Sequence, residues 1–247
     1  SDLLGGARPF WGAALLCLGV LSALLGITFA VYQRDLKRVL AYSSVENMGI
    51  ILLGLGLGFW GQSSGHPSVG WLGFAGALLH VYFHSVMKGL MFLLSGSVLH
   101  ACHTKDLERL GGLGKRMPVT FALFMLGAVA ISGLPPFNAF VSEWLLYSGL
   151  MKGALAGGGA GAVACVFGVA LLSLIGALAA LCFTRLVGAS MLGEPRSRSA
   201  EQAQEVGLGL LLPVLLLGGV LVAQALFPQR LVVWITPAVE QLLGPVQ

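Results

Sequence analysis

Six apolar stretches divide this chain of 247 residues, and short loops rich in arginine and lysine separate them. A helix that crosses a bilayer needs about 20 predominantly apolar residues. On that ruler the spans fall at about 10–32, 39–60, 70–100, 118–150, 159–184 and 207–227. The remainder of the composition agrees: 57% of residues are hydrophobic, 10% are charged, and the mean hydropathy is +0.89. Soluble domains carry about 25% charge, so a water-soluble globule is excluded. The expected fold is all-α, a polytopic membrane helix bundle forming a single transmembrane domain over 1–247. The last stretch, 228–247, mixes Leu, Val and Trp with Pro, Gln and Arg and reads as an interfacial segment.

The loops orient the spans. Loop 33–38 carries Arg34, Lys37 and Arg38; loop 101–117 carries Lys105, Arg109, Lys115 and Arg116; loop 185–206 carries Arg185, Arg196 and Arg198. With six alternating spans these three loops share one side, opposite Arg8, Lys152 and Arg230. Basic loops stay in the cytoplasm, so this side is expected to be cytoplasmic and both termini to lie beyond the membrane. The same distribution accounts for the net charge of +4 without a nucleic-acid partner. Four scattered cysteines, Cys17, Cys102, Cys165 and Cys182, indicate neither a disulfide framework nor a paired-cysteine metal site. No signal-peptide pattern opens the chain, and a start at Ser-Asp points to a fragment or a processed piece.

The fourth stretch is too long for one helix. At ~1.5 Å per residue, 118–150 would extend about 50 Å across a hydrocarbon core of roughly 30 Å. It contains Ser132-Gly133-Leu134-Pro135-Pro136. Proline lacks an amide donor and pushes the residue before it out of the helical region, so Gly133, Pro135 and Pro136 predict two half-helices meeting in mid-membrane. A tilted helix with a proline kink is the alternative. Broken helices free backbone groups that protein or water must satisfy, and they commonly line an ion path. The glycine-rich Ala154–Gly161 lacks the Gly-Lys-Ser/Thr ending of a phosphate loop and reads as a turn into the next helix. Gly54, Gly56 and Gly58 read as sites of close helix packing.

Within the spans the ionisable residues are Glu46, Lys88 and Glu143, with His80 and His84. A charge at mid-membrane costs about 2.5–3.5 kcal/mol even on insertion scales, so these groups are expected to face protein or water. His80, His84 and Lys88 are spaced by four residues, which stacks them on one helical face at about 6 Å per step. Such a ladder suits proton transfer, because histidine exchanges protons near neutrality. Zinc is the lesser alternative for the histidine pair, since no third ligand stands at suitable spacing, and a hydrogen-bonded core histidine is the plainer reading of His80. Glu143 follows the break by seven residues, and its alternative role is an ion pair with Lys88. Glu46 is either an entry group or a carboxylate hydrogen-bonded to Asn47 and Ser43.

Three motifs, KRVLAYSSVENMG (37–49), HVYFHSVMKGLMFLLSG (80–96) and GLPPFNAFVSE (133–143), resemble the antiporter-like membrane subunits of complex I and its relatives. With LGEPRS (192–197), they are most similar to the large membrane subunit of energy-converting NiFe hydrogenases, the hydrogenase-4 component B and formate hydrogenlyase type. The resemblance implies a subunit of about fourteen helices built on inverted repeats, of which this chain would be the later part; the first repeat is absent from these residues. It implies proton translocation driven by redox chemistry elsewhere, with Lys88 as central relay, His84 beside it and Glu143 passing protons onward; His80 stands where several relatives have histidine. The Glu46-Asn47 pair follows the hydrogenase-like pattern, and many complex I members have histidine at Asn47. No cofactor is expected in this chain. Nickel-iron and iron-sulfur centres, or flavin and quinone, would belong to partner subunits: other membrane subunits and a peripheral redox arm. The transported ion would be the proton, with Na+ as the alternative in a Mrp-type cation/proton antiporter. A structural anchor without pumping is the third reading. The expected location is a bacterial or archaeal cytoplasmic membrane.

Overall fold

A computed structural model describes residues 9–156 and 158–244; Arg8 and the chain ends lie outside them. All named elements are helical. They are α1 (Pro9–Tyr32), α2 (Leu36–Ser63), α3 (Pro67–Cys102), α4 (Pro118–Ile131), α5 (Asn138–Ala156), α6 (Gly159–Ser190), α7 (Arg198–Glu201), α8 (Leu208–Leu226) and α9 (Pro228–Leu243), with a 3-10 turn at Leu113–Lys115. Among the described residues, α1, α2, α3, α6 and α8 are each long and apolar enough to cross a membrane. The 14 residues of α4 rise only about 21 Å, and the remainder of that crossing is made by α5 after the break at 132–137. The protein is therefore an all-helical membrane bundle with one discontinuous helix.

Burial separates the centre from the rim. Helices α2 and α3 bury more than half of their most apolar windows, whereas α1, α6 and α8 bury about a third or less. Leu18, Leu21, Leu25 and Phe29 on α1 point outward, as side chains in contact with lipid must. Helix α1 lies very close to α2. Gly12, Gly19 and Gly26 recur every seven residues on α1, and Gly49 and Gly56 do so on α2. A Cβ added at Gly56 would stand 2.6 Å from the Leu16 amide nitrogen of α1, so backbone meets backbone. Gly54 and Gly58 instead face Ala77 and Phe74 of α3, which is the close packing expected of them.

The basic loops are tied together at one face of the bundle. Asp35 caps α2 by accepting from the amides of Lys37 and Arg38, and its carboxylate pairs with Lys105 at 2.8 Å. Burial alone would raise the Asp35 carboxyl; the Lys105 ammonium and the two amides outweigh it and hold the carboxyl below its ordinary value. Arg196 donates to the carbonyls of Leu107 and Ala189, and Arg116 to that of Glu201. The Glu205 carboxylate accepts from the amides of Val119 and Thr120 and so caps α4 from a distant loop.

One boundary differs from expectation, that of the loop 185–206. Arg185 lies inside α6, and its guanidinium donates to the carbonyls of Val31 and Gln33. It closes the C-terminal end of α1, whose last carbonyls have no partner within the helix. The 228–243 stretch forms α9, an amphipathic helix with Ile235 and Val239 buried. It leans on α3, where Trp234 packs on Tyr82 with ring centroids 5.7 Å apart, and it is tied to the end of α2, where Gln62 donates to the Leu243 carbonyl.

Candidate functional site

The ionisable groups of the spans converge on α2, α3 and α5. His80, His84, Lys88, Glu46 and Glu143 are each no more than 9% exposed. The spacing of four residues on α3 lays the two imidazoles nearly parallel, with centroids 6.4 Å apart and planes inclined by 13°. Lys88 lies one turn further toward the basic face.

The partners come from neighbouring helices. The Lys88 ammonium donates to the Leu40 carbonyl at 2.8 Å and to the Ser43 hydroxyl, both on α2. It also stands 5.8 Å from the centre of the Phe183 ring on α6. No carboxylate lies within 4.0 Å of it; among the described residues the sole ion pair is Lys105 with Asp35. The Lys88–Glu143 ion pair considered from sequence is therefore not formed, because α2 supplies neutral acceptors first. Glu46 accepts from Asn47 at 3.1 Å, while Ser43, its other expected partner, is taken by Lys88.

His80 links three helices. Its Nε2 stands 3.0 Å from Asn47 Oδ1 on α2, and its Nδ1 stands 2.9 Å from Ser142 Oγ on α5. The hydrogen-bonded reading of His80 is thus satisfied at both nitrogens, whereas His84 Nδ1 has no partner among the described groups.

Glu143 lies on α5, and its carboxylate reaches back to the break. Gly133 adopts φ +66°, and a Cβ placed there would lie 2.8 Å from Glu143 Oε2. The glycine allows both the left-handed turn and the close approach of the carboxylate. Ser132 turns back to the Ala128 carbonyl, capping the last turn of α4. No protein hydrogen bond reaches the Glu143 carboxylate among the described residues.

Sequence reasoning missed Ser142, Asn138 and Gln224. Asn138 opens α5 and donates to Gln224 of α8 at 2.6 Å, leaving Asn138 Oδ1 and Gln224 Nε2 buried without partners. The available signal was polarity within an apolar span: Gln224 sits in the final turn of a helix otherwise made of Leu, Val, Gly and Ala around it. Among the described residues no group of three His, Cys, Asp or Glu side chains is placed to hold a metal ion.

A membrane bundle with a discontinuous helix, a buried lysine and histidines, and a carboxylate in the break has the build of an antiporter-like membrane subunit. The chain belongs to the NADH:quinone oxidoreductase/Mrp antiporter transmembrane family, whose model matches residues 1–173. It is 39% identical to hydrogenase-4 component B of Escherichia coli over 98% of its own length and 36% of that protein's. It is 42% identical to formate hydrogenlyase subunit 3 of the same organism, over 82% of this chain and 33% of the relative. The chain thus spans about a third of these relatives. Its fold matches respiratory complex I from Thermus thermophilus with a TM-score of 0.74 and 26% identity, over 95% of this chain and 45% of that one.

Proposed function

We propose that this chain carries protons through the membrane as part of a redox-driven complex of the energy-converting NiFe hydrogenase type. The observation that carries this reading is the buried axis on α3: Lys88, His84 and His80 in succession, flanked by Glu46 on α2 and by Glu143 on α5, beside the break. Lys88 rests on a hydroxyl and a carbonyl instead of a carboxylate, so its proton can leave without stranding an ion-pair partner. Two histidines spaced at 6.4 Å continue the line toward α5. In this reading Lys88 is the central relay, His84 stands beside it, His80 exchanges protons further along the line, Glu143 exchanges with a wet gap at the break, and Glu46 is the group on the α2 side.

The nickel-iron and iron-sulfur chemistry belongs to partner subunits in a peripheral arm, and this chain needs no cofactor of its own. Its three basic loops face the cytoplasm by the positive-inside rule. The likeness to hydrogenase-4 component B and formate hydrogenlyase subunit 3 supports the hydrogenase assignment over the quinone-linked one.

The test uses the whole complex in sealed vesicles. Lys88→Ala should abolish redox-driven proton movement while dye-linked redox activity persists, and an unchanged proton stoichiometry would refute the proposal. The Mrp part of the family description supports a second reading, cation/proton exchange. Sodium-driven proton movement without any redox partner would select it. Unimpaired pumping in both Lys88→Ala and Glu143→Gln would leave a structural anchor.

A further inference from the structure

The hydrogen bonds around His80 select one tautomer of its neutral ring. Asn47 is oriented without ambiguity. Its Nδ2 lies 2.7 Å from the Ser43 carbonyl and 3.1 Å from Glu46 Oε2, both acceptors, so both amide hydrogens are committed there. Reversing the amide would set its oxygen against the Ser43 carbonyl. Asn47 Oδ1 is therefore the atom 3.0 Å from His80 Nε2, and being an acceptor it requires Nε2 to carry a hydrogen. Neutral His80 then has a bare Nδ1, which accepts from the Ser142 hydroxyl at 2.9 Å.

Ser142 Oγ has a second acceptor, the Ala139 carbonyl, also at 2.9 Å. When His80 is protonated, Nδ1–H donates to Oγ and the hydroxyl hydrogen turns to Ala139. His80 consequently keeps a partner on each nitrogen in both charge states. All of these groups are buried, where an unmade hydrogen bond is costly.

We infer that Ser142 is the hydroxyl through which His80 exchanges protons, at Nδ1 and toward α5, while Nε2–H stays pinned on Asn47 and takes no part. The step is balanced. The serine O–H bond breaks as Nδ1–H forms, and Oγ takes a water-borne proton in its place. The reverse sequence releases the proton. Asn47 offers no onward route, because its Oδ1 has no hydrogen to pass on. The α2 side of His80 is thus a hinge for the ring, and the transferred proton moves between α3 and the half-helix that bears Glu143. This inference rests on the proposed proton-carrying role, but its central element, the tautomer, is open to measurement without transport.

The experiment has two arms on the intact complex. Nitrogen-15 histidine solid-state NMR in lipid, with the His80 signal assigned by its loss in His80→Gln, should show neutral His80 with hydrogen on Nε2. A neutral form with hydrogen on Nδ1 overturns the inference whether or not the complex pumps. In vesicles, Ser142→Ala should lower redox-driven proton movement by about 100-fold, the lower end of what a positioned proton-transfer group contributes, and Ser142→Thr should restore it to within about threefold of wild type. The Ser142→Ala protein should keep the His80 Nε2–H tautomer, which shows that the site has not collapsed. Wild-type pumping in Ser142→Ala would overturn the inference while leaving Lys88→Ala to decide the proposed function.

Discussion

Gly133 and Glu143 occupy the same small space: the side chain that glycine lacks is the volume the carboxylate fills, with 2.8 Å between a Cβ built at 133 and Glu143 Oε2. The break in the fourth crossing is consequently a receptacle as well as an interruption. Its left-handed residue and its acidic residue depend on one another although ten positions separate them.

Gly133→Ala should lower the Tm of the purified complex and weaken proton movement together. A left-handed alanine costs about 1–2 kcal/mol, and the new methyl displaces the carboxylate. Gly96→Ala is the control, since a Cβ there meets no atom within 4 Å and the position is helical. Equal melting and equal pumping for Gly133→Ala and Gly96→Ala would contradict this account.

The amide pair Asn138–Gln224 joins the start of α5 to the end of α8 in the buried interior. Replacing either residue with leucine strands the other and should destabilise the protein by about 1–3 kcal/mol, whereas replacing both should be nearly neutral. Thermal or denaturant unfolding of the single and double variants reads the coupling. A double variant as weak as the sum of the singles would show that the amides do not act as a pair.

Glu205 caps α4 from the loop before α8. Glu205→Ala should cost about 0.5–2 kcal/mol, the range for loss of a helix cap, with Glu205→Gln in between. Hydrogen exchange should accelerate at the first turn of α4 and spare α2. Exchange that is unaltered at Val119 and Thr120 would remove the cap from the account.

Acid should loosen the basic face through Asp35. Its carboxyl is held below the ordinary value, so the folded state binds the proton less readily than the unfolded state does. Its stabilising contribution is present above the unfolded value near 3.8 and is lost as pH falls through the lower folded one. The effect is small, because the pair is partly solvated and salt screens it. Asp35→Asn should flatten the acid limb of a Tm-against-pH curve measured at low salt; an identical acid limb would count against the pair.

Much of the fold is legible along the chain because it follows local rules. Span length answers to bilayer thickness, and the break at Gly133, Pro135 and Pro136 answers to backbone chemistry that acts over a few residues. The alignment of His80, His84 and Lys88 follows from the helical repeat alone. Arg185 was less legible: its charge marks it as a loop residue, yet its guanidinium serves the end of α1, 152 positions from Gln33.

A membrane bundle with one interrupted helix and a small set of ionisable side chains inside it follows from the order of residues along the chain. What those side chains touch follows from how the helices pack. Periodicity tells which face of α3 carries Lys88 and His80, but not which residues oppose that face. The glycine-lined approach of α1 to α2 and the packing of α2 and α5 on α3 set the opposing residues. That packing gives Lys88 to Ser43 and Leu40, gives His80 to Asn47 and Ser142, and leaves Glu143 alone in the space beside Gly133. Such pairings depend on the relative shift of two helices, which the pattern along either helix does not encode.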